Sequence, residues 1–223
     1  MSENDWFDTG YEGLDKADKE YEKRAPDDNE LRRVWLKPGQ EIELVFETDE
    51  PACLWEHQLN MDGHWRNWFT CRRDMEDGCH ICDHENDNPA YIGAYVARDM
   101  TGWKNKKGEL RGVGRRVLYV GKRKTLKQLK SLKEKREARG LRGLKGVRFS
   151  ITRSDSSSPN CGDLFDALGD EDMAALPEAG PMPNLREYFA PKTHAELQAL
   201  FGVSGGGTGG GGGKPPEDED IPF

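Results

Sequence analysis

The chain has no run approaching the ~18 consecutive apolar residues of a membrane span, and apolar residues make up only 35% of its 223 positions. Its opening residues Ser2, Glu3, Asn4 and Asp5 carry neither the basic nor the apolar region of a secretory signal. These absences predict a protein that stays in the cytoplasm where it is made, with no membrane partner. Five cysteines in that compartment read as thiols or metal ligands, not as a disulfide framework. No internal repeat of about 20–50 residues is present, which excludes a solenoid. No clustered set of acids suited to two-metal chemistry and no nucleophile motif is found, which argues against an enzyme. With apolar residues this scarce, the length supports one core of roughly 150–170 residues plus tails.

What the chain does have is segregated charge. Of its 33 basic and 41 acidic residues, 20 and 4 respectively fall between positions 98 and 153, a block of +16 in a protein of net charge −8. The rest carries −24. Positive charge gathered between acidic ends implies a polyanionic partner for the middle. A solvated basic helix accounts for residues 125–139 about as well, but not for the basic density on either side of them.

Residues 1–30 are acidic with scattered aromatics and no sustained period, and read as a mobile arm. The core is expected over 31–201. Val34, Trp35 and Leu36 lead into the turn signal Lys37-Pro38-Gly39-Gln40, after which Ile42, Leu44 and Phe46 alternate with Glu41, Glu43 and Glu47. That pattern predicts a hairpin whose second strand has one apolar and one acidic face. Strands are expected over 52–59 and 64–71, joined through Asn60-Met61-Asp62-Gly63. A strand from Tyr91 should carry Tyr91 and Tyr95 on its outer face. Residues 103–114 read as a glycine-punctuated basic hairpin, followed by a strand over 115–120. Thr125 is placed to cap a helix with Leu126, Leu129 and Leu132 on one side, ending near Gly140. Val147, Phe149 and Ile151 alternate with Arg148, Ser150 and Thr152 in a further strand, and 162–168 supply a last strand or turn. Thr193 and Glu196 have capping-box spacing for a short helix ending at Gly202. Periodicity supports a mainly β small barrel with one helix. The order of elements, with the helix before the penultimate strand, is that of an OB-fold barrel.

Residues 71–89 have almost no apolar side chains and need something else to order them. Cys79-His80-Ile81-Cys82 is a C-x2-C knuckle with Cys71 eight positions earlier, and such a knuckle presents two thiolates to one side of a tetrahedral Zn²⁺. His57 is the preferred fourth ligand, with His64, Cys53, His80 and His84 as rivals. A zinc-binding subdomain is thus expected at about 53–90, and four protein ligands make its ion structural. His194-Ala195-Glu196 has the H-x-E form of a zinc deaminase but follows the knuckle instead of preceding it, so His194 reads as a helix-surface residue. Cys161 reads as an ordinary thiol.

Residues 202–213 form a glycine-rich linker, and 214–223 end in Glu217, Asp218, Glu219, Asp220, Ile221, Pro222 and Phe223. This ending resembles the acidic tip of bacterial single-stranded-DNA-binding proteins, linker included. Residues 31–168 resemble a related group, the phage single-stranded-DNA-binding proteins that set a zinc knot into an OB-fold, as in the T-even phages. The matching positions are His57, Cys71, Cys79 and Cys82, with 32–46 as the opening strands. The resemblance implies an OB-fold with an inserted zinc subdomain and a disordered acidic tail. It also implies a protein that coats single-stranded DNA in replication, recombination and repair, in the host cytoplasm where phage-encoded, with self-association on DNA compatible with that role.

A nonspecific single-strand binder needs cations for phosphates and aromatic faces for bases. The candidates are Tyr91, Tyr95, Trp103, Lys104, Lys106, Lys107, Arg111, Arg115, Arg116, Tyr119, Lys122, Arg123, Lys124, Arg148 and Arg153. The tip residues Asp218, Glu219, Asp220, Ile221, Pro222 and Phe223 are expected to recruit replication or repair proteins. A 12-residue linker reaches roughly 20 Å, so the tip should also compete with DNA for the cationic groove. The alternative functions are a zinc-dependent nucleic-acid-processing enzyme or an RNA-binding module.

Overall fold

The computed structural model describes residues 31–61, 64–84, 87–104 and 108–201. The arm over 1–30, the linker, the tip with Asp218 to Phe223, and Lys106 and Lys107 lie outside the described residues, as do the side chains of His64 and His84.

The strands are β1 (Arg32–Arg33), β2 (Glu41–Phe46), β3 (Ala52–Met61), β4 (His64–Thr70), β5 (Ala90–Asp99), β6 (Trp103–Lys104), β7 (Leu110–Arg111), β8 (Arg115–Lys122), β9 (Val147–Thr152) and β10 (Leu164–Asp170). The helices are α1 (His80–His84), α2 (Arg123–Glu137), α3 (Leu185–Tyr188) and α4 (His194–Phe201). The protein is mainly β, with a mixed sheet in the order β1-β8-β5-β2-β9-β10; β3 pairs with β5 and with β4 off that path, and β6 and β7 form a separate hairpin.

Strand β5 is the centre of this arrangement because its sequence, Ile92-Gly93-Ala94-Tyr95-Val96-Ala97, is a continuous small and apolar run that can be buried on both faces. One edge pairs with β8 along its length, from Ile92 opposite Lys122 to Asp99 opposite Arg115. The other edge is divided between β3, from Ala52 opposite Ala94 to Glu56 opposite Ala90, and β2, from Leu44 opposite Asp99 to Phe46 opposite Ala97. One face of β5 contributes Tyr95 and Ala97 to a core with Leu44, Phe46, Val117, Tyr119, Leu129, Phe149 and Ile151. The other contributes Ile92, Ala94 and Val96 to a second cluster with Leu118 and Phe189. Helix α2 lies directly on β5 at Gly93, where an added Cβ would stand 2.6 Å from Leu126 Cδ2.

Residues 34–36 do not form the first strand of a hairpin with β2. Instead β1 runs parallel to β8. Beyond it, Val34 N–H donates to Leu118 O and Leu36 N–H to Asn160 O, burying Val34 and Leu36. On β2, Leu44 and Phe46 are buried in the core and Ile42 partly so, but the expected acidic face does not stay open, because Val45 and Glu47 on that side are buried as well. The alternation of β9 is clear. Helix α2 begins two residues before Thr125, whose side chain is buried in the first turn, and Lys122 takes the N-cap position. The helix precedes the penultimate strand as expected, but among the described residues no strand pair closes the sheet into a barrel.

Candidate metal cluster and nucleic-acid interface

Four ligand atoms, one each from His57, Cys71, Cys79 and Cys82, lie within 4.8 Å of one another. His57 comes from the interior of β3, Cys71 from the end of the paired β4, and Cys79 and Cys82 from the knuckle around α1. His57 is fully buried. Its Nε2 is 3.4 Å from Cys79 Sγ and 3.5 Å from Cys82 Sγ, and the Cys71 and Cys82 sulfurs are 3.6 Å apart. A tetrahedral ion with bonds of about 2.0 Å to nitrogen and about 2.3 Å to sulfur separates its ligand atoms by roughly 3.5–3.8 Å, so the set fits a single metal ion.

The surroundings prepare the ligands. The other ring nitrogen of His57, Nδ1, is 2.7 Å from Asp87 Oδ2, an outer carboxylate that fixes ring orientation and leaves Nε2 turned to the sulfurs. Burial pushes the Cys79 thiol up, but N–H groups of Arg72, Cys82 and Ile81 together with His57 outweigh it and bring the thiol down to about 7. Burial, then the neighbouring Cys71 and Cys79, push Cys82 up to about 12, and burial also raises Cys71. Three crowded sulfurs cannot all ionise by themselves; a bound cation supplies the charge that draws off the remaining protons.

The rival ligands are placed elsewhere. Cys53 is exposed and lies beside Tyr91. His80 is buried, with its ring edge-on to His194 at 5.0 Å and near Phe201. The predicted capping box forms, with Thr193 N–H and Oγ1–H donating to Glu196 at 2.6 and 2.8 Å and Glu196 N–H returning to Thr193 Oγ1. It starts α4 over the knuckle, where Leu197 is fully buried against Cys71, Cys79 and Ile81. His194 is therefore a packing residue against His80 and not a plain surface one. Cys161 is buried in the core.

Within the basic block some side chains are held by acids of the fold and others make no ion pair among the described residues. Arg148 pairs with Glu43 and with Glu171, and Arg116 with Glu47 at 2.5 Å. Arg153 is 5% exposed and donates to the carbonyls of Leu36, Ser156 and Ser158. All three are engaged by acceptors of the fold itself, where the sequence pattern offered them as nucleic-acid contacts. Arg111 is exposed beside Glu109 at 2.7 Å, and Arg115 lies 3.6 Å from Asp99. Lys104, Lys122, Arg123 and Lys124, joined by Lys127, are exposed and make no ion pair among the described residues.

The aromatics are sorted differently from the sequence pattern. Tyr95 and Tyr119 are 3% and 0% exposed and pack edge-on to Phe46, so neither offers a face to a base. Alternation alone did not reveal that the tyrosine side of β5 is the core side and that only its first member, Tyr91, lies beyond the helix. Trp103 is half-buried. Gly112, at φ +71°, approaches one part of its ring so closely that a Cβ there would overlap it, and the Arg115 guanidinium lies 4.3 Å from its centre.

Tyr91 is 39% exposed and stands opposite Trp55 on β3, the ring centres 5.1 Å apart and edge to face. Arg73, two residues beyond Cys71, lies over the Trp55 indole. The β5–β8 register ends at Ile92 opposite Lys122, with Tyr91 the neighbour of that pair along β5 and Arg123 its neighbour at the start of α2. Arg73, Trp55 and Tyr91 form a contacting group beside that strand end. Trp55 and Arg73 were missed in the sequence because neither lies in the basic block; the clue was an aromatic in the strand that also carries His57. The first turn of α2 contains no acid, and its N-cap Lys122 makes no side-chain cap. Cations here oppose the positive end of the helix dipole, a local cost of about 0.3–1 kcal/mol per charge that an anionic partner reverses.

The chain matches no family model, no curated protein and no solved structure in comparisons with each.

Proposed function

We propose that the protein binds single-stranded DNA without strong sequence preference, coating and protecting it during replication, recombination and repair. The observation that carries this reading is the group in which Arg73 covers Trp55 and Trp55 meets the exposed Tyr91, beside the strand end that leads into Lys122, Arg123, Lys124 and Lys127, exposed cations with no ion pair among the described residues. Aromatic faces flanked by cations serve an unpaired strand, which exposes bases and phosphates together. A duplex hides its base faces and would leave the aromatic pair unused.

Zinc is the ion we assign to the cluster, because three sulfurs and an imidazole at tetrahedral spacing suit it. When bound it serves the fold: four protein ligands leave no position for substrate or water, which favours a binder over an enzyme. The strands are read as an OB-fold barrel. In support, residues 34–36 hydrogen-bond both to β8 and to the segment ahead of β10, and Phe165 of β10 meets Tyr119 of β8 at 6.2 Å. Residues 218–223 act as a tip that recruits partner proteins and competes with DNA for the cations. The cytoplasm, the host's for a phage-encoded protein, is the matching compartment.

The test is a salt-dependent titration of the full chain with labelled single-stranded DNA, single-stranded RNA and duplex DNA. Tight, salt-sensitive binding to the first, with weaker binding to the other two and no product, is the expected result. Failure to bind an oligothymidylate at low salt removes the reading.

A further inference from the structure

Arg98 and Arg116 stand opposite each other on β5 and β8, and between them they have too few acids. Arg116 donates to Glu47 through Nε at 2.5 Å and Nη2 at 3.1 Å. Arg98 Nε lies 3.8 Å from the same carboxylate. Among the described residues no other carboxylate pairs with either group, so two guanidinium ions share one negative charge. The site is enclosed, with Arg98 4% and Glu47 7% exposed.

The surplus charge is met by main-chain oxygens. Arg116 Nη1 donates to the carbonyls of Ala179, Gly180 and Pro181 at 2.7, 2.6 and 2.7 Å, and Arg98 Nη2 donates to the carbonyl of Pro177. Three oxygens thus crowd one guanidinium nitrogen that has two hydrogens to give, so the carbonyls do not match the donors one to one. Yet Arg98 Nε and Nη1 are buried with no hydrogen-bond partner among the described residues. Buried charged donors left in this state are costly and call for an explanation.

The strap that supplies the carbonyls has little else to hold it. Residues 177–182 belong to no helix or strand and are mostly exposed. Apart from the arginine bonds, the strap rests Pro177 against Gly114, where an added Cβ would approach the proline ring to 2.8 Å. Carbonyl dipoles are weaker acceptors for a guanidinium than a charged oxygen, which also offers the paired geometry that an Nε and Nη edge prefers.

We propose that Arg98 and Arg116 form an oxyanion site that the strap covers in the unliganded protein and that takes a phosphate group, from a bound strand or from solution, when the strap lifts. The phosphate neutralises the charge left over by Glu47 and supplies charged oxygens to the Arg98 Nε and Nη2 edge once the Pro177 carbonyl leaves it. The strand as source rests on the function proposed above; the site itself does not.

The experiment is nuclear magnetic resonance on the full chain, following the Nε–H signals of Arg98 and Arg116 and the backbone order parameters of residues 178–181. The two arms are an oligothymidylate about twenty nucleotides long and inorganic phosphate at matched ionic strength. The expected result is a shift of both arginine signals and a fall of the strap from order parameters near ~0.85 to below ~0.6. A response to the oligothymidylate alone identifies the strand as the source, and a response to phosphate as well shows that a free oxyanion suffices. A strand that binds while neither arginine nor strap responds in either arm overturns the proposal. A strand that does not bind while phosphate still moves both removes the single-strand reading and leaves the oxyanion site standing. Arg98→Gln should abolish the response; if that chain does not fold, the two arms on the unaltered protein decide alone.

Discussion

The guanidinium of Arg73 lies 3.6 Å from the centre of the Trp55 indole, and the same Arg73 lies two residues beyond Cys71 of the metal cluster. One residue thus joins the metal cluster to the aromatic pair. Trp55 itself sits two positions before His57 on β3, so strand and loop deliver both a ligand and a platform element. The cluster and the proposed strand-binding group are parts of one local unit.

Replacing Cys79 and Cys82 together by serine removes two of four ligands from a module with few apolar residues of its own. Metal should be lost, and stability should fall by several kcal/mol, since a structural ion's binding energy is folding energy. Metal analysis alongside thermal unfolding checks this. A double variant that melts at the unaltered temperature would show that the cluster does not hold the fold.

Trp55→Ala and Tyr91→Ala should each weaken binding of oligothymidylate by about 1–3 kcal/mol, the usual range for one stacked base. Tyr95→Phe, which alters only a hydroxyl in the core, should leave the affinity unchanged. Fluorescence titration separates the three. Equal effects of Tyr91→Ala and Tyr95→Phe would place the strand on some other face.

Cys71, Cys79 and Cys82 were legible in the sequence as candidate metal ligands because their pattern is local: a C-x2-C knuckle in a stretch without a core has few uses. His57 was legible only as a preference, since its choice over Cys53 or His80 depends on which face of β3 meets the knuckle. The alternation of β9 was readable because it has one apolar face; that of β2 was only half so, since Val45 and Glu47 on its other side are buried too. The side of β5 was not, because a strand buried on both faces has no polar partner to mark its exterior. That ambiguity sent Tyr95 and Tyr119 to the surface in the sequence pattern and to the core in the fold. Arginines raise a related difficulty. Arg116, Arg148 and Arg153 look like phosphate ligands in sequence, but Glu43, Glu47 and loop carbonyls that claim them are distant in the chain.

Neutralising Lys122, Arg123, Lys124 and Lys127 one at a time to glutamine should weaken single-strand binding and flatten its dependence on salt. Each phosphate deprived of its cation in this way should reduce the slope of log affinity against log salt by roughly 0.7. Arg148→Gln is expected to act differently. Its charge is held by Glu43 and Glu171, so the variant should lower thermal stability while leaving the salt slope unchanged.

Deleting residues 214–223 should raise the affinity for single-stranded DNA, and the gain should be largest at low salt. On the proposed reading, the four consecutive acids Glu217 to Asp220, tethered by a linker with a reach of roughly 20 Å, compete with DNA for the exposed cations. Salt screens that competition over a Debye length of about 10 Å at 0.1 M, so the intact and shortened chains should converge as ionic strength rises. Removing Ile221, Pro222 and Phe223 alone leaves the charge in place and should leave the affinity as it was, because the role proposed for those residues is to recruit partner proteins. Titrations of the three chains across salt separate the two roles: equal affinities at every concentration would mean that the acids never reach the cations of α2.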